Sequence, residues 1–221
     1  MSTHISKFNL AIVITICSII STPIIAQEMG FEEYNPTSTL VVPGSEITKA
    51  KFPFIDVHSH QRDMSVEALN GLIGHMDAMN EAIMVNLSGR SGEGLKEKID
   101  NIKKSYPNRF VVFANVDFEG AKDLAWGEKA AEQLEQDIKN GAKGLKIFKS
   151  LGLRNKDADG NRLAIDDSRL DPIWAKCAEM GVPVLIHAAD PKSFWDEMDS
   201  DNERWLELKT HPRRKRTATD P

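Results

Sequence analysis

The sequence predicts a parallel α/β fold. Short apolar runs of strand length recur along the chain, stretches with helical spacing lie between them, and the two alternate at a roughly constant interval, the pattern of βαβ units. The runs are 54–58, 82–87, 110–116, 144–148 and 182–187. All five are dense in Val, Ile, Leu, Phe and Met, as expected for strands covered on both faces. The first helix, 65–80, carries Val66, Leu69, Ile73 and Met76 at helical spacing. The second, 94–105, carries Leu95, Ile99 and Ile102. The third, 122–140, is rich in Ala, Glu, Gln and Lys, with Gly141 just past its end. Asp171-Pro172 opens the next helix and Gly181 closes it, proline in and glycine out. A last helix is expected at 201–209.

Composition narrows the function classes. The chain has 221 residues, 28% charged and 41% hydrophobic, with a formal net charge of −5. That is a soluble globular profile with no basic balance favouring nucleic acid. Two cysteines cannot build a disulfide framework. The first 26 residues read as an export signal: Lys7 supplies the positive start, 10–20 is an uncharged apolar run, and Ala26 offers a small residue for cleavage. An uncleaved anchor and a lipid-modified Cys17 are the alternatives. Cleavage removes one lysine and no acid, moving the net charge from −5 to −6. It leaves Cys177 alone, read as a small buried apolar group. The expected location is periplasmic or extracellular, with no stable membrane span once the signal is gone. Residues 27–52, with Pro36, Pro43 and Gly44, read as an extended lead-in, 53–211 as the folded part, and 212–221, with Arg213-Arg214-Lys215-Arg216, as a basic disordered tail.

The chemistry concentrates at the end of the first strand. Asp56-Val57-His58-Ser59-His60 places Asp56, His58 and His60 on one side if the extended geometry continues. Two adjacent imidazoles can grip one divalent ion. The same turn lacks the glycines that a dinucleotide would require. His187 ends the fifth run and is a candidate third ligand, the alternative being a satisfied core histidine. Lys146 sits inside the apolar Gly144-Leu145-Lys146-Ile147-Phe148 run, where a charge is costly without a role or partner; it is either a ligand or a snorkelling or salt-bridged lysine. Arg154, in the loop after that run, either holds a substrate carboxylate or is solvated. Asp190 and Trp195, after His187, are candidate substrate contacts, and Trp195 either lines the pocket or packs its loop. Asp159-Gly160 marks a hairpin turn. His75 and Asp77 lie in the first helix, where solvation or capping is expected.

The D-x-H-x-H of the first strand, the G-L-K-I-F of the fourth and the histidine ending the fifth resemble the amidohydrolase superfamily, and within it the amidohydrolase-2 branch of metal-dependent hydrolases and decarboxylases. The resemblance covers about residues 50–210. It implies a partial TIM-type (β/α)₈ barrel with about five βα units, working at the C-terminal ends of its strands. It implies His58, His60 and His187 as metal ligands, with Lys146 where some branches carry a carboxylated lysine. The expected ion is zinc, with manganese or iron as alternatives.

The implied activity is that of an exported hydrolase in which metal-activated water attacks the carbonyl of a small amide, ester or lactone. The alternatives are a carboxy-lyase of the same branch, or a truncated, inactive remnant that at most binds metal or ligand. The family expects a histidine on strand six and an aspartate on strand eight. After His187 the only histidine is His211, and Asp190 follows the fifth strand too closely to be that acid, so the general base has no match here. Barrels of this type run to about 250 residues. The abrupt basic ending is read as premature termination or a frameshift in a longer gene. An open five-stranded sheet would expose two edges, which favours self-association.

Overall fold

Strand, helix and turn alternate from Phe54 onward in the computed structural model, which describes residues 44, 47–188, 190–199 and 201–218. The expected export signal lies outside the described residues, as does most of the lead-in. Among the described residues the strands are β1 (Phe54–Ser59), β2 (Glu81–Asn86), β3 (Phe110–Val112), β4 (Ala114–Asn115), β5 (Leu145–Ile147) and β6 (Val184–Ile186). The helices are α1 (Val66–Met79), α2 (Gly92–Ser105), α3 (Trp126–Asn140), a single kinked turn α4 (Ser150–Leu153), α5 (Asp171–Glu179) and α6 (Trp205–Thr210). None is long and apolar enough to cross a membrane.

All strand pairs are parallel, in the order β1-β2-β3 and β4-β5-β6. The run expected at 110–116 is divided at Phe113. The Phe113 N–H still donates to Asn86 at 3.0 Å, whereas the Ala114 N–H donates to Gly144 at 2.8 Å, so one stretch of chain passes from one ladder to the next. A side chain at Gly144 would collide with the Phe113 ring, so glycine is what permits this handover. The strands therefore follow one another edge to edge in sequence order. That is the winding of a partial (β/α) barrel, not of a doubly wound sheet.

Helix boundaries follow local chemistry. Ser65 caps α1 by accepting the Ala68 N–H, and Asn80 ends it in the left-handed region at φ 67°. Pro172 sits in the first turn of α5, and Gly181 turns the chain into β6 at φ 63°. The core is built from Leu69 and Met76 of α1, Leu95, Ile99 and Ile102 of α2, Ala131 and Leu134 of α3, and Ile173 and Cys177 of α5, packed on Met84, Val112, Leu145 and Ile147. Burial pushes the Cys177 thiol up to about 11, which suits an apolar filler rather than a nucleophile.

Two expectations are corrected. β1 and β6 are not covered on both faces: Ile55 and Val57 are 54% and 62% exposed, and Val184 and Ile186 are also exposed, on the two strands that stand at the outer edges of the described ladders. The basic segment is not a free tail over residues 212–218. Pro212–Arg214 forms a 3-10 turn, Arg214 pairs with Glu207 at 2.6 Å, and Arg216 pairs with Asp190 at 2.8 Å.

α3 and α5 are joined by Lys176, whose ammonium lies 2.8 Å from Glu135. Hydrogen bonds from Lys139 and Lys176 hold the Glu135 carboxyl down to about 2, from an ordinary value of 4.5. A carboxyl with a depressed folded value stabilises above its unfolded value, and that contribution fades as pH falls through the folded one. Between about pH 4.5 and about pH 2 the native chain should therefore lose stability that a Glu135→Gln variant never has. Urea midpoints of the two proteins should converge across that window.

Candidate functional site

The C-terminal ends of the strands carry the chemistry-bearing residues. His58 and His60 stand at the end of β1 with ring centroids 5.1 Å apart. Among the described residues Asp56 forms no three-member cluster with them, and its Oδ1 accepts the His58 backbone N–H at 2.9 Å. The His60 ring is oriented by Ser88, whose Oγ lies 2.9 Å from Nδ1, leaving Nε2 as the outward nitrogen. Burial, then the neighbouring His58, Lys146, His187 and Arg62, holds the His60 imidazole below its ordinary value. His187 follows β6, and its N–H donates to Ile147 at 3.0 Å, one residue past Lys146.

Lys146 is the most confined charge of the site. It is 1% exposed, and its Nζ is buried without a hydrogen-bond partner. Its nearest aromatic neighbour is Phe148, whose ring centre is 5.8 Å away. Burial pulls the Lys146 ammonium below its ordinary value. A buried amine with no partner points to a ligand that completes it. Paired imidazoles are the donor type that suits a divalent ion, and Lys146 lies near enough to His60 to help hold its imidazole below the ordinary value. Among the described residues no group of three His, Cys, Asp or Glu side chains closes around one point, so His187 lies near the pair rather than joined to it.

Two asparagines that sequence reasoning passed over hold this rim together. Asn86, fully buried at the end of β2, accepts the N–H groups of Gln61 and Ser88 and donates to the Gln61 carbonyl at 2.8 Å. It pins the loop after His60 to the loop that carries Ser88. Asn115 does the same at the end of β4, accepting the Arg90 N–H and donating to the carbonyls of Leu87 and Lys146. The available signal was an amide closing an otherwise apolar strand.

The remaining candidates separate. Asp190 and Trp195 line a cavity of about 250 Å³ with His187, Lys149, Leu151 and Leu153. Arg154 does not line it; it is exposed just past α4. Asp77 pairs with Arg109 at 2.8 Å, as suits a solvated helix residue. The Asp159-Gly160 turn is present, closed by the antiparallel Lys156–Arg162 bridge.

A family profile described as Amidohydrolase matches residues 55–219. The chain belongs to the amidohydrolase family. Among solved structures, this amidohydrolase is similar to the 4-oxalomesaconate hydratase LigJ from Rhodopseudomonas palustris, with 14% identity and a TM-score of 0.42. That similarity covers 66% of this chain and 46% of the hydratase, so the chain spans about half the length of that protein. A comparison with curated proteins gives no match.

Proposed function

We propose that this amidohydrolase is an exported metal-dependent hydrolase in which metal-activated water attacks the carbonyl carbon of a small amide, ester or lactone and the acyl C–N or C–O bond breaks. The observation that carries the reading is the His58–His60 pair, 5.1 Å apart at the end of β1, in a chain of this family. His58 and His60 would hold the ion, zinc in the first instance, with His187 as a further nitrogen ligand and Lys146 joining as a carboxylated lysine, through oxygen. A bound divalent ion supplies acidified water and a polarised carbonyl.

The chain's own residues do the positioning. Ser88 sets the His60 ring, and Asn86 fixes the loop that bears it. Asp190 is not the proton acceptor, because Lys149 and Arg216 engage its two oxygens. Export is supported by Lys7, the apolar run 10–20 and Ala26.

Metal analysis of the purified protein tests the reading. The native chain should retain a divalent ion, and His58→Ala should lower its affinity by more than about tenfold. Equal metal content in the two proteins overturns it.

A further inference from the structure

The cavity beside His187 has a charged side and an apolar side. On the charged side the Asp190 carboxylate, 5% exposed, accepts Lys149 Nζ on Oδ1 at 2.6 Å and Arg216 Nη2 on Oδ2 at 2.8 Å. Two cations thus share one anion, and neither carboxylate oxygen is left without a cationic donor. The surplus positive charge reaches the cavity at one place. Arg216 is 11% exposed and turned into the protein, whereas Lys149 is 36% exposed and lines the cavity. An ammonium has three N–H donors, and Asp190 takes one of those on Lys149. Leu151, Leu153 and Trp195 form the apolar side.

We propose that this cavity binds a carboxylate, with Lys149 receiving the acid group and Leu151, Leu153 and Trp195 packing an apolar or aromatic body. Asp190 positions Lys149, and Arg216 keeps Asp190 from cancelling its charge. Because His187 lines the same cavity, a bound acid lies against the histidine rim. That the acid is the substrate rests on the hydrolase reading above; that the pocket binds it does not.

Benzoate and benzamide, alike in shape and different in charge, are the probes, titrated calorimetrically into the full chain after chelation and again with zinc. Benzoate should bind the metal-free protein, and benzamide should bind about tenfold more weakly or worse. Lys149→Met should weaken benzoate by about tenfold and remove the preference, and Lys149→Arg should restore it. The Met variant retains the Arg216–Asp190 pair, and circular dichroism verifies its fold. Lys192→Met, which breaks an exposed pair with Asp196, should change nothing. His58→Ala separates the two readings: it should release metal and keep benzoate. Equal affinity for the two probes, or benzoate binding that requires zinc and ignores Lys149→Met, overturns the carboxylate pocket. Zinc retained by His58→Ala overturns the metal reading and leaves this one standing.

Discussion

Lys146→Met should make the metal-free protein more stable by about 1–4 kcal/mol. Natural cores rarely enclose an ammonium, because desolvating a charge costs several kcal/mol unless a partner offsets it. Lys146 is almost fully buried, and its Nζ has no hydrogen-bond partner. Methionine keeps the length and flexibility of the side chain and removes the charge. The urea midpoint should rise at an unchanged m-value. A ligand that binds only the native state stabilises it by mass action, so zinc should stabilise the native chain more than the variant if the Lys146 amine completes the site. A lower midpoint for the variant would show that Lys146 is already well partnered and would remove the case for a ligand there.

Gly127→Ala should cost about 3 kcal/mol, the upper end of what overpacking costs. Gly127 lies in the first turn of α3, and a Cβ built on it lands on the backbone carbonyl of Arg169. Backbone cannot rotate aside as a side chain can, so α3 or the 168–170 turn must move, and both pack on the core. Gly74→Ala is the control. It lies within α1 with nothing within 4 Å of the added carbon, so intrinsic helix propensity alone should stabilise it by up to about 1 kcal/mol. Thermal melts of the two variants should move in opposite directions.

What was legible in the sequence was the part decided locally. The strand-helix alternation, the proline and glycine at the ends of α5, the histidine pair and the burial of Cys177 all follow from residues within a few positions of each other. Helix starts slipped where a side chain redirected the backbone. α3 begins at Trp126, not at 122, because Asp123 accepts the Ala125 N–H and holds a turn there. α6 begins at Trp205, not at 201, because Asn202 donates to the carbonyls of Ser193 and Glu197 and accepts the Arg204 N–H. The pairing of Arg216 with Asp190 spans 26 residues and has no periodic signature; it exists only once the fold brings the C-terminal segment back. The exposure of β1 and β6 was equally hidden, since an apolar strand reads the same whether or not a neighbour covers it.

The handover at Phe113 gives the molecule a seam. On one side lies the ladder that ends in His58 and His60; on the other lies the ladder that ends in Lys146 and His187. Within this strand a single residue carries the chain across that line, and backbone bonds from the Lys143 N–H to Val112 at 2.9 Å and from the Asn115 N–H to Arg90 at 2.8 Å stitch the two sides. An ion held by donors from both ladders would work as a rivet through the seam, so loading the site would fasten two leaves of the sheet as well as equip it for chemistry.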